Sequence, residues 1–141
     1  MDLQQISDRL EIEDVLIRYT RAIDTGDWGR LDTVFTPDAA IDYTQSGGID
    51  GSYPAVRAWL AENLPLFPRR MHTLGQVEIR YDGADAALVA AYFHNPMTLS
   101  AGAGSETLVE VGGIYHHRMV RSPDGWRSRA LVEELVWKRG L

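Results

Sequence analysis

The feature that most constrains this chain is the unbroken series of alternating segments in its second half. Apolar and polar residues follow each other with period two over about Met71–Tyr81, Ala86–Leu99, Thr107–Arg121 and Trp126–Trp137, the pattern of strands with unlike faces. Asp82-Gly83, the Ala101 to Ser105 stretch and Ser122-Pro123-Asp124-Gly125 join them, and each is a hairpin-type connection. Every run exceeds the roughly five or six residues of an ordinary strand. Four such strands fit a 141-residue chain as an antiparallel meander only if the sheet bends strongly.

The first half has helical spacing instead. Ile12, Val15, Leu16, Tyr19, Ala22 and Ile23 share one face of a helix predicted from Ile6 to Ile23, with Ser7 and Asp8 placed to cap its start and Thr25-Gly26 its end. Asp27 is expected to cap a short second helix, Trp28 to Phe35, closed by Pro37. A short strand, Ala39 to Tyr43, precedes a Gly-rich loop, Ser46 to Gly51, read as a mobile pocket rim. A third helix, Ser52 through Leu64, tolerates Pro54 in its first turn and turns Val56, Trp59, Leu60 and Asn63 inward. Helices followed by a run of strands define an α+β class, not a doubly wound parallel sheet. No repeat or linker interrupts the pattern, so residues 1–141 are expected to form a single domain. A bent sheet with a long helix across its concave side encloses a cavity.

Composition narrows the chemistry. At 45% apolar residues the chain can fill a core, and with no cysteine it has no disulfides, thiol nucleophile or thiolate zinc site. A net charge of −6 with scattered basic residues argues against a nucleic-acid partner. The densest basic spots, Arg69-Arg70 and Arg127 to Arg129, read as solvated faces. The start, Met1-Asp2-Leu3-Gln4-Gln5, has neither the basic residues nor the apolar run of a secretion signal, and no window has the length of a membrane span. A cytoplasmic location is the expectation.

Four stretches carry a family resemblance: Tyr19-Thr20-Arg21-Ala22-Ile23-Asp24-Thr25-Gly26-Asp27-Trp28, Phe35-Thr36-Pro37-Asp38-Ala39, Arg70-Met71-His72-Thr73, and Gly112-Gly113-Ile114-Tyr115 ahead of Asp124-Gly125-Trp126. In order and spacing the chain resembles the nuclear transport factor 2-like superfamily. Within it, the similarity is to the SnoaL-like group that includes scytalone dehydratase, lindane dehydrochlorinase and the bile-acid 7α-dehydratases. The resemblance implies a cone-shaped α+β barrel, a strongly curved, mostly antiparallel sheet packed against three N-terminal helices. It also implies a catalytic dyad of Asp24, at the end of the first helix, and His72, at the start of the strand after the third, with Tyr19 as a further catalytic residue. The arginine that lindane dehydrochlorinase carries on its last strand is replaced here by Leu131, and the nearby Arg129 would face differently.

The residues admit plainer roles as well. Asp24 lies off the main apolar stripe, near Ile17 and Thr20, and either serves the site or hydrogen-bonds the Thr25-Gly26-Asp27 loop. His72 is either an ordinary strand histidine or a general base, since an imidazole exchanges a proton near neutral pH and a carboxylate in reach would fix its tautomer. Tyr19 either packs or donates a hydrogen bond to a carbonyl turning enolate-like. Trp59, Leu64, Phe67, Met97 and Trp137 either line a hydrophobic cavity or fill core; with His94 and Leu131, the first four form the expected substrate-binding set. His94 shares a strand face with Tyr92, and His116 and His117 must point to opposite faces. No histidine has metal-motif spacing, so neither metal nor cofactor is expected.

The leading expectation is a cofactor-independent lyase, a dehydratase or dehydrohalogenase, or an isomerase. It would abstract a proton from a small apolar carbonyl-bearing or cyclic substrate. The alternatives are a non-catalytic small-molecule binder and an association module resembling ring-hydroxylating dioxygenase β subunits. The convex sheet face, with residues such as Val109, Val111 or Leu131, is expected to support a homodimer or homotrimer.

Overall fold

The computed structural model describes residues 1–141 and has the predicted order of elements with one strand added, Asp50–Ser52, where the Gly-rich segment was expected to be all loop. Helix α1, Leu3–Thr25, leads into a 3-10 helix, Trp28–Thr33, and strand β1, Phe35–Asp42; a 3-10 turn, Thr44–Ser46, then precedes β2, Asp50–Ser52. Helix α2, Tyr53–Asn63, and a 3-10 turn, Leu64–Leu66, lead to β3, Thr73–Tyr81, β4, Ala86–Ser100, β5, Glu106–Ser122, and β6, Gly125–Arg139. The class is α+β. The sheet has six strands in the order β2-β1-β6-β5-β4-β3. All neighbours run antiparallel except β1 and β6, which pair parallel. It curls strongly but does not close, leaving β2 and β3 as free edges.

The long helix begins earlier than its apolar stripe suggests. Its N-cap is Asp2, in a reciprocal capping box with Gln5, and it ends at Gly26 with φ 68°, a left-handed turn that glycine adopts without steric cost. Asp8 is therefore no cap but a buried acid within the helix. The stripe itself holds: Ile12, Val15, Leu16, Tyr19, Ala22 and Ile23 are all buried against the sheet. Strand β1 starts at Phe35, inside the predicted second helix. Its pairing with β6 skips between Phe35 and Ala40, so Pro37, which has no N–H to give, sits where no ladder bond is needed.

Two bulges coil β5 and β6, one between Gly112 and Gly113 and one between Arg118 and Met119. The second leaves Arg129 unpaired and exposed, bonded at 3.4 Å to Asp38, and it reverses which residues of β6 face inward. Trp126 and Ser128 are buried ahead of it, Leu131 and Glu133 beyond it. At the first bulge the chains come very close, and a Cβ built on Gly113 would lie 2.0 Å from the Glu134 carbonyl oxygen. Gly113→Ala should therefore destabilise the protein by about 2–3 kcal/mol, as overpacking against backbone does. Urea unfolding would measure it, and a loss below about 0.5 kcal/mol would refute the tight approach.

The convex face does not carry the apolar residues expected there. Val109, Val111 and Leu131 are buried on the inward face, because alternation defines two faces without saying which one the helices cover. The exposed apolar residues of the long strands are Leu88, Tyr92, Leu108, Val132, Val136 and Trp137. Trp137 thus lies outside the core, its indole over Gly112, where an added Cβ would meet Nε1 at 2.0 Å. No helix is long and apolar enough to cross a membrane.

Candidate active site

The C-terminal end of α1 and the segment entering β3 meet at one carboxylate. Asp24 Oδ1 lies 2.6 Å from His72 Nδ1, and Asp24 Oδ2 accepts the His72 main-chain N–H at 2.9 Å. Both carboxylate oxygens are thus spent on one residue, and Asp24 does not turn back onto the Thr25–Asp27 loop. With Nδ1–H donated to Asp24, the second ring nitrogen, Nε2, carries the lone pair. The His72 side chain is 4% exposed and forms part of the wall of a cavity open to the surface.

Arg70 supports this junction. Its Nε donates to the Ile23 carbonyl at 2.9 Å, and its Nη1 to the carbonyls of Leu64 and Phe67 at 3.0 Å each. A cation thus satisfies carbonyls at the end of α1 and fixes the turn after α2 that borders the cavity. The expectation of a solvated Arg69-Arg70 face fails for Arg70, whose guanidinium binds main chain. Arg127 also bonds main chain, the Trp126 carbonyl, and of these residues only Arg69 and Arg129 form simple surface ion pairs.

The cavity measures about 360 Å³, within the range of small-molecule sites. Trp59, Leu64, Phe67 and Met97 line it, as does Tyr19. The Gly-rich segment contributes Ser46, Gly47 and Gly48, and it is tied to β6 through Gln45 Oε1, which accepts Leu135 N–H at 2.9 Å. A larger, more open hollow of about 580 Å³ lies among Trp28, Phe35, Tyr53 and Arg57 and shares no residue with the dyad. The smaller one has His72 in its wall.

Two expected substrate-binding residues are elsewhere. His94 points to the outer face, where it bonds Glu110 at 3.0 Å and packs on Trp137, because its inward neighbours on β4 are Phe93 and Asn95. Leu131 is 1% exposed and fills core beside the cavity without lining it. His117 faces inward, bonds Ser128 Oγ at 2.8 Å, and burial pushes its pKa down to about 3, so it stays neutral. His116 is its outward neighbour, bonded to Glu134 at 2.7 Å.

Tyr19 belongs to a buried aromatic group. Its hydroxyl is 2.5 Å from that of Tyr43, and its ring meets Phe35 and Tyr115 edge-on. Burial, reinforced by Tyr115 and Glu133, holds the Tyr19 hydroxyl well above its usual value, so it remains a proton donor. The Tyr115 hydroxyl lies close to Tyr19 and Glu133 but completes a hydrogen bond to neither.

Two cavity residues escaped the sequence reading. Asn95 stands across from His72, since Arg70 bridges Met97 and Thr73 pairs with His94; it is 8% exposed and its Oδ1 has no partner. Glu133 is equally buried and bonded by the Ser46 hydroxyl. Inward parity on β4 was the signal for Asn95. Glu133 had none, because the bulge at Arg129 inverts the count.

Comparison with known proteins agrees with this architecture. The family model of the SnoaL-like domain matches residues 4–132. The uncharacterized protein Rv2910c of Mycobacterium tuberculosis is 45% identical over 140 residues, 99% of this chain and 92% of that protein. Among solved structures, a hexachlorocyclohexane dehydrochlorinase, LinA type 2, superposes with a TM-score of 0.86 at 19% identity, covering 100% of this chain and 93% of that one. A nuclear transport factor 2-like superfamily protein from Salmonella enterica superposes with a TM-score of 0.79 at 17% identity, covering 97% and 96%. At such identities the structural likeness speaks for the fold alone.

Proposed function

Since the chain belongs to the SnoaL-like domain family, we propose that it is a cofactor-independent lyase or isomerase that removes a carbon-bound proton from a small, mostly apolar, carbonyl-bearing or cyclic substrate. The observation that supports this most is the doubly bonded Asp24 carboxylate, which orients one imidazole in the wall of a cavity sized for a small molecule.

In this reading His72 Nε2 takes the proton, and the electron pair of the C–H bond moves toward the carbonyl. Asp24 fixes the tautomer and stabilises the imidazolium as it forms. Tyr19, kept protonated by burial, steadies the charge growing on oxygen. A hydroxyl or halide then leaves with its electron pair, or the proton returns at another carbon. The fold of a dehydrochlorinase supports the lyase branch.

The test is to incubate the protein with a panel of cyclic ketones, β-hydroxy ketones and alkyl halides in D₂O and follow the products by NMR. Deuterium appearing at carbon, or released water or halide, is the expected result. Saturable binding with neither would make the protein a binder and overturn the enzymatic reading.

A further inference from the structure

Glu133 puts a carboxyl group where a carboxylate is costly. It faces inward from β6, is 8% exposed, and shares the cavity wall with Tyr19, Tyr43, Tyr115 and His72. Its one hydrogen bond comes from the Ser46 hydroxyl, and it has no ion-pair partner. An unpaired carboxylate in such surroundings takes up a proton instead of remaining charged. Burial accordingly raises Glu133 to about 7, against the lowering effects of Ser46 and Tyr115. Ser46 occupies Oε1 and the nearby Tyr115 hydroxyl completes no bond to the group, so in the neutral acid the Oε2 O–H is open to the cavity. Tyr19 and Tyr43 already share one hydrogen bond, which uses one of their two hydroxyl protons.

We propose that Glu133, as a neutral carboxylic acid, donates a hydrogen bond from Oε2 to the carbonyl oxygen of a compact cyclic ketone held in the cavity. The inference rests on the cavity being the substrate site and adds the residue that grips the substrate's polar end. A carboxylic acid is a stronger donor than a phenol, and it offers its proton only while uncharged. Ligand binding is then tied to pH with a definite sign: strong while Glu133 is protonated, weaker as it ionises.

The other titratable groups facing this region are few. Tyr19 from α1, Tyr43 after β1 and Tyr115 from β5 are all held well above their usual values by burial, and His117 from β5 stays neutral. The Asp24–His72 pair remains, and a variant removes it.

The test uses 1-tetralone carrying ¹³C at its carbonyl, bound to the full chain at about pH 6 and about pH 8.5, either side of the Glu133 transition. Wild-type affinity should fall about tenfold between the two, with the infrared carbonyl band shifted further to lower frequency at the lower pH than at the higher. Glu133→Gln should bind with no pH step, and Glu133→Leu without the further band shift at the lower pH, whereas His72→Ala should keep both. Absence of saturable binding, or a pH step that survives in Glu133→Gln, would overturn the proposal. Deuterium exchange at the carbon beside the carbonyl reports His72 separately. No exchange with an intact band shift would defeat the base and leave Glu133 standing.

Discussion

His72→Ala should lower the rate of deuterium exchange or elimination by about 10²–10⁴-fold, the contribution of a positioned general base. Asp24→Asn should cost as much, for a reason specific to this geometry. The carboxylate faces two N–H donors, the His72 ring and its main chain. A carboxamide offers one acceptor oxygen and one NH₂. If the oxygen keeps the main-chain N–H, the NH₂ must face Nδ1, which can pair with it only by giving up its proton. The ring then takes the opposite tautomer, with hydrogen on Nε2, and the lone pair is withdrawn from the cavity. A base aimed the wrong way is as useless as none.

This distinguishes a positioning role from a merely structural one. In wild type, ¹⁵N spectra should show Nε2 as the unprotonated nitrogen; in Asp24→Asn they should show it protonated, with the unfolding midpoint nearly unchanged. A variant that loses activity while keeping the wild-type tautomer would refute the argument. Near-normal rates in both His72→Ala and Asp24→Asn would end the mechanism.

What the sequence could reveal follows from what its periodicities encode. Period two over long segments located the meander, and the 3.6-residue stripe through Ile12, Leu16, Tyr19 and Ile23 located the helix that covers it. Once those were in place, Asp24 fell at the end of the helix and His72 at the entry to a strand, although only the family resemblance paired them. The failures have physical causes too. A bulge is one residue long and has little signature, yet the one at Arg129 exchanges the faces of β6 and turns Glu133 inward. His94 misled because polarity on a strand marks either an outer face or a site, and its Glu110 partner is sixteen residues away. Arg70 looked solvated because its acceptors are main-chain carbonyls, which no composition discloses.

Trp126→Ala should be the most damaging single change to stability, at about 3–5 kcal/mol, the range for deleting a large buried aromatic. The ring is fully buried, and the residue is held at three points, two of them through the indole. Its Nε1 donates to Asp8 Oδ1 at 3.1 Å, its main-chain N–H donates to Glu11 at 2.9 Å, and the Arg121 guanidinium lies 4.8 Å from its centroid. Arg121 in turn bonds Asp8 Oδ2 at 2.9 Å, so one helical carboxylate holds both ends of the β5–β6 hairpin. Burial alone would raise the Asp8 carboxyl; the bonds from Arg121, Trp126 and Gln4 outweigh it and hold the group below its ordinary value. Its folded pKa is therefore lower than its unfolded one, so its contribution is complete above the unfolded value and disappears as pH falls through the folded one. Trp126→Phe, which keeps most of the ring but loses the N–H, should cost about 1–3 kcal/mol. Asp8→Asn should flatten the acid limb of the stability curve. Urea unfolding across the acid range would measure all three. A Trp126→Ala loss under about 1 kcal/mol, or an acid limb unchanged in Asp8→Asn, would show that the hairpin is held to α1 by packing elsewhere.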